Sequence, residues 1–173
     1  KIPAMQDKAT QKSVLQSIQK NVKTTLRLTN QKSLYALLFH RVSDLTLNYA
    51  KDLYSQLLLL REHGVVKRLG VSVYDSQEID FVLENFDIDV VQIPVSIFDQ
   101  RIIQSGHLDK LRRAGIEVHA RSIFLQGLIF LRPEKLPKKL FHFKPFLKRL
   151  NDVSKSCGIS KTTLAILFVH SLD

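Results

Sequence analysis

The chain has 173 residues, 45% of them hydrophobic and 24% charged, a globular balance that excludes global disorder and suffices for one domain or most of a larger one. One cysteine, Cys157, excludes an internal disulfide framework and fits a reducing compartment, and apolar runs such as residues 57–60 and 164–169 are far too short to span a bilayer. The net charge of +10 admits nucleic acid, an anionic membrane surface or phosphorylated ligands as partners, but no nucleic-acid motif accompanies it.

Residues 1–4 read as the tail of a strand. No secretory signal or initiator methionine is visible, which suggests that a segment precedes Lys1. Residues 9–28 read as a polar-faced helix with Val14, Leu15, Ile18, Val22 and Leu26 as its apolar stripe. Residues 33–39 form a continuous apolar run of strand length, as expected of a strand covered on both faces. Asp44 then precedes a helix to His63, with Leu45, Tyr49, Leu53, Leu57 and Leu60 in register and Gly64 as its stop.

The cycle repeats. Residues 65–72 are strand-like, and Asp75 with Glu78 predicts a capping box opening a helix whose stripe is Ile79, Val82, Leu83 and Phe86. A short strand over 89–93, a helix over 108–114 closed by Gly115, and a strand over 116–121 follow. Residues 122–141 form a long connection holding Gly127, Pro133 and Pro137, of a length often tied to function. Two helices finish the chain, residues 144–157 and 160–172, with Gly158 between them and Ser160 as N-cap.

Five strands alternating with helices predict a parallel sheet in a single domain over residues 1–173. An open doubly wound sheet and part of a (β/α)8 barrel both fit. No glycine-rich phosphate loop follows the first strand, so the barrel, incomplete at about five of eight strands, is the expected architecture.

Function follows from the strand ends. Alternation puts Leu34, Ala36, Leu38 and His40 on one face, with the imidazole at the carboxyl end. Ser72 and Gln92 end the next two strands at the equivalent level, where a hydroxyl and an amide can converge on a planar carboxamide. Taken separately, each is more often a satisfied polar residue.

The ordered set Leu37-Leu38-Phe39-His40, Gly64-Val65-Val66-Lys67-Arg68-Leu69-Gly70-Val71-Ser72-Val73-Tyr74, Val91-Gln92-Ile93-Pro94 and Gly115-Ile116-Glu117-Val118-His119-Ala120-Arg121-Ser122 resembles an aldo-keto reductase. The Phe124-Leu125-Gln126-Gly127-Leu128 loop and Thr163-Leu164-Ala165 extend the likeness to nearly the whole chain. The resemblance implies a cytoplasmic, NADPH-dependent oxidoreductase that interconverts small carbonyl compounds and alcohols. It needs no metal, nucleic acid or membrane partner. It assigns His40 to substrate orientation, and Lys1, ahead of an Ile-Pro pair, to the lysine that lowers a catalytic phenol's pKa. It assigns Ser72, Gln92, Arg121, Ser122 and Gln126 to the cofactor.

Departures accompany the match. Val73 stands where the family usually has an asparagine, and Arg121 where an aromatic ring stacks on the nicotinamide. A guanidinium also stacks but repels the positive ring of NADP⁺, predicting a preference for NADPH. The family's catalytic tyrosine and aspartate lie ahead of the lysine strand, and none of Tyr35, Tyr49, Tyr54 and Tyr74 is a convincing substitute, so the 173 residues alone are expected to be inactive. The alternative is a non-catalytic relative that binds cofactor or a partner. The basic residues Arg132, Lys135, Lys138 and Lys139 read as a solvated loop, although the resemblance also admits a contact with cofactor phosphates.

Overall fold

The computed structural model describes residues 1–3, 5 and 10–172. Its chain divides into two compact units, Lys1–Ile93 with Gly106–His119, and Pro94–Ser105 with Ala120–Asp173.

Strands β1 (Leu34–Phe39), β2 (Val66–Ser72), β3 (Val90–Pro94) and β4 (Glu117–Arg121) lie in the order β1-β2-β3-β4. The β1–β2 and β2–β3 pairs are parallel. Sequential order means that the sheet winds in one direction only, as in a barrel, whereas a doubly wound sheet reverses at a switch point. The register is enforced at Gly70, where a Cβ would stand 1.9 Å from the Val90 carbonyl oxygen.

Among the described residues the strand count is four. In the segment expected as a fifth, the described residues contribute one bond to β1, from Ile2 N–H to the Leu38 carbonyl at 2.8 Å. Pro3, with no N–H, cannot donate to a ladder. The end of that expected strand at Ala4, and the expected helix start at Ala9, lie outside the described residues.

In the first unit, α1 (Gln11–Thr29) is capped by Thr10, whose side chain accepts from Ser13 N–H, and it buries Val14, Ile18 and Val22. Helix α2 (Ala50–Glu62) starts five residues later than the sequence suggests. Asp44 does not cap it: its Oδ1 accepts from Met5 N–H at 3.1 Å and pairs with Arg41 at 3.0 Å, and residues Val42–Leu45 turn as a separate 3₁₀ helix. Leu53 and Leu57 of α2, with Val66, Leu69 and Val71 of β2, are fully buried. Each such side chain contributes roughly 1.5–3 kcal/mol relative to exposure.

Helix α3 (Ser76–Asn85) opens on the expected box, modified by one residue. Asp75 accepts from Glu78 N–H at 2.9 Å, while the Glu78 carboxylate reaches Tyr74 N–H at 2.5 Å rather than the cap's own amide. Arg61 Nη1 of α2 donates to both carboxylate oxygens of Asp89 at 2.9 Å, and Asp89 also accepts from Leu69 N–H at 2.8 Å, so one carboxylate ties that helix to the middle of β2. Helix α5 (His107–Arg113) is fastened to α3 by His107 and Lys110 on Asp80, whose carboxyl they hold below the usual carboxylate range, Lys110 foremost.

The second unit carries a one-turn helix α4 (Arg101–Gln104) that has no periodic signal in sequence. Residues 125–143 contain the 3₁₀ segments Pro133–Lys135 and Lys138–Phe143, preceded by short turns over Leu125–Phe130 that are broken by a kink at Gln126 and Gly127, where the sequence suggests plain connection. Helix α6 (Lys144–Cys157) ends on Gly158 in the left-handed region, and α7 (Lys161–His170) opens on Ser160, which accepts from Thr163 N–H. Their core is Ile129, Leu150 and Ala165, with Ile97, Phe98, Phe124, Leu125 and Leu164 packed against it.

Candidate active site

The parallel ladder sets the site. Ser72 is the register partner of Gln92, and pairing of Phe39 with Val71 puts His40 level with Ser72. Partnered residues of parallel strands share a face, so three polar residues end three adjacent strands on one side of the sheet.

Lys1 reaches the same level. Ile2 N–H on Leu38 O aligns the segment beside β1, and a node of Arg41, Asp44 and Met5 fixes it further, with Arg41 Nη2 donating to Met5 O at 2.9 Å. Lys1 Nζ then donates to Ser72 Oγ at 2.7 Å and to Gln92 Oε1. Ser72 Oγ in turn donates to Gln92 Oε1 at 2.9 Å. Ser72 is buried, Gln92 half-buried and Lys1 exposed, so the triangle closes at the edge of solvent.

This arrangement is half suited to a carboxamide. Gln92 Oε1 already accepts two hydrogen bonds, whereas Gln92 Nε2 has no partner among the described residues and can donate to a carbonyl oxygen. An acceptor for a carboxamide NH₂ is freed only when the Lys1 ammonium turns away. His40 is exposed, with no hydrogen bond or ion pair to a described residue. Four of the candidates therefore gather at one level of the first unit.

Arg121, Ser122 and Gln126 belong to the second unit. The Arg121 carbonyl accepts from Val95 N–H at 3.1 Å, and its Nη1 donates to Ser122 Oγ at 3.4 Å. Arg101 holds the Asp99 carboxyl below its ordinary range through bonds of 2.8 and 2.9 Å, with a smaller contribution from the Arg121 charge. The backbone that follows is strained: Ser122, Leu125 and Gln126 take φ of 60°, 48° and 53°, ahead of Gly127 at 89°. Non-glycine residues there cost about 1–3 kcal/mol each, and Leu125 has no local sequence signal for it.

Sequence reasoning also missed a polar cluster in the first unit. Tyr35 donates to Glu117 at 2.6 Å, His119 bonds the same carboxylate at 2.5 Å, and Arg68 pairs with it at 3.1 Å. The Tyr35 phenol is pushed up by its bond to Glu117, while the Glu117 carboxyl is lowered, first by Tyr35 and then by His119. Among the described residues no group of three or more His, Cys, Asp or Glu could hold a metal ion, and no helix is long and apolar enough to cross a membrane.

A model of the aldo/keto reductase family matches residues 2–172. The chain belongs to this family. Solved structures share its fold. A glycerol dehydrogenase from Gluconobacter oxydans matches with a TM-score of 0.71 at 21% identity, over 91% of this chain and 52% of that one. An aldo/keto reductase from Klebsiella pneumoniae, solved in complex with NADP and acetate, gives 0.63 at 18% identity over 88% and 50%. The holo form of an aldo-keto reductase from Bacillus halodurans gives 0.55 at 22% over 72% and 40%. The aldo/keto reductase chain thus spans about half the length of these structures, and its four strands are part of a (β/α)8 barrel. No curated protein sequence matches it.

Proposed function

We propose that this chain is part of a cytoplasmic, NADPH-dependent oxidoreductase that reduces an aldehyde or ketone to an alcohol. The observation that carries the reading is the convergence of Lys1, His40, Ser72 and Gln92 at the carboxyl ends of parallel strands, where enzymes of this architecture place their chemistry. A nicotinamide seen with the Klebsiella relative supports the cofactor class. The bound cofactor supplies the hydride.

Gln92 Nε2 and Ser72 Oγ would hold the carboxamide, with Lys1 giving up their acceptor positions as it enters. His40 would donate to the substrate oxygen, and the Lys1 ammonium would stabilise a neighbouring phenolate. Tyr35 and Tyr54 cannot act as the phenol. Tyr35 is committed to Glu117 and Tyr54 to the Asp87 carbonyl, and both phenols are raised, Tyr54 by burial, so they keep their protons. Tyr49 and Tyr74 match no family tyrosine either, and on the resemblance we read the 173 residues alone as inactive. For Arg121, Ser122 and Gln126 the cofactor role rests on the resemblance, and Arg121 would favour NADPH over NADP⁺.

A binding-only role is the second reading, favoured by Val73 and Arg121 in place of the family's usual residues and by the ammonium already seated on Ser72 and Gln92. NADPH oxidation over a panel of aldehydes separates the two. Turnover by a full-length protein containing this sequence, reduced on the order of a hundredfold by His40→Ala, supports the reductase. Cofactor binding without turnover supports the second reading. An Arg121→Tyr variant that leaves the NADPH-to-NADP⁺ ratio of dissociation constants unchanged removes the role given to Arg121.

A further inference from the structure

The second unit presents an unusual surface. Residues 130–149 hold seven lysines and arginines against one acidic residue, Glu134. All seven are exposed, and none makes an ion pair or side-chain hydrogen bond with a described residue. Interleaved with them are four large apolar side chains left in solvent: Phe130, Leu131, Phe141 and Phe146, exposed by 47%, 38%, 54% and 54%.

The stretch is folded, not slack. Pro133, Leu136, Leu147 and Leu150 turn inward and are buried, and the 3₁₀ segments Pro133–Lys135 and Lys138–Phe143 both pack on α6. Ring contacts of Phe124 with Phe130 at 5.6 Å, and of Phe98 and Phe143 with Phe146 at 6.1 and 6.4 Å, hold two of the exposed rings in place. Helix α1 supplies an internal contrast. It also carries exposed basic residues, Lys12, Lys20, Lys23 and Arg27, with no ion pair to a described residue, but beside them the large exposed apolar group among the described residues is Leu28 alone. Charge by itself is what a solvated helix face looks like; charge interleaved with exposed rings is not.

We infer that residues 130–149 form a docking surface for an anionic phospholipid bilayer. Lysines and arginines near such a surface each contribute about 1 kcal/mol, and phenylalanine and leucine side chains enter the boundary between headgroups and acyl chains. Leu131, an aliphatic group with no ring to stack on a base, and the absence of a nucleic-acid motif favour lipid over RNA. This is association at the surface, not insertion of a span.

The 173-residue chain is to be sedimented with vesicles of phosphatidylcholine alone and of phosphatidylcholine mixed equally with phosphatidylglycerol. The expected result is binding to the anionic vesicles only, released by salt. Lys138→Glu with Lys139→Glu lowers the partition by about thirtyfold or more, while Lys20→Glu with Lys23→Glu changes it by no more than about twofold. The chain has no tryptophan, so Phe141→Trp gives an unambiguous reporter. Its emission shifts to the blue on anionic vesicles, with circular dichroism unchanged. Equal binding to both vesicle types, equal loss from the α1 pair, or an unshifted Trp emission in the bound protein each overturns the proposal. So does binding to a homopolymer RNA with no binding to vesicles, which would assign the surface to nucleic acid.

Discussion

The two units of this chain treat charge and apolar surface in opposite ways. In the first, outside α1, cations meet carboxylates, within a turn for Arg41 and Asp44 and across elements for Arg61 with Asp87 and Asp89, Arg68 with Glu117, and His107 and Lys110 with Asp80. Its helices close over the sheet, with Leu53, Leu57, Leu69 and Ile79 wholly buried. In the second, Arg101 has Asp99, the cations of residues 130–149 have no such partner among the described residues, and Phe141, Phe146, Ile166 and Leu167 stay in solvent. Helix α7 shows why. Its sequence Leu164-Ala165-Ile166-Leu167-Phe168-Val169 is apolar on every side, the composition of a helix covered all round, yet Ala165 is its only buried residue. A core forms where a polar stripe defines the outside; without one, burial is left to whatever else the helix meets.

The contrast can be tested by substitution. Gly70→Ala is expected to have the largest effect, because its new Cβ would strike the Val90 carbonyl and break the β2–β3 register on which Ser72 and Gln92 depend. A loss above about 3 kcal/mol, seen as a collapse of the thermal transition, is expected. Asp75→Ala removes the α3 cap and should cost about 1 kcal/mol by denaturant titration.

Glu117 gives a smaller, pH-dependent effect. Its carboxyl is depressed in the folded chain, so its contribution is complete above the unfolded value of about 4.3 and disappears as pH falls through the folded pKa. The stability gap between wild type and Glu117→Gln should be constant above about pH 5 and narrow on acidification. A gap that widens toward acid would remove the cluster from the account. Leu167→Ser should change stability least, within about 0.5 kcal/mol. A cost equal to that of a buried leucine would mean that this face of α7 is covered in solution, and the contrast between the units would fail.

Much of the fold is legible locally. The caps at Asp75 and Ser160 follow from side chains that bond backbone within one turn, and the stops at Gly64 and Gly158 from a left-handed backbone that glycine adopts without penalty. Asp44 misleads because it has the chemistry of a cap, but Met5, 39 residues away in the chain, and its neighbour Arg41 claim it. The level of His40, Ser72 and Gln92 is readable because strand period and parallel pairing fix it. That Lys1 would lie on both Ser72 and Gln92, across 71 and 91 residues of chain, is not readable from spacing. Nor are the Tyr35–Glu117–His119 cluster or the left-handed backbone at Leu125, which depend on what the folded chain brings near.

The most direct test of the central claim is a fluorescence titration of the chain with NADPH, repeated on Gln92→Ala. The account predicts saturable binding by the wild type and a dissociation constant raised on the order of tenfold in the variant, the effect of losing about one hydrogen-bonding group. Saturable binding that Gln92→Ala leaves unchanged, or no binding at all, would contradict it.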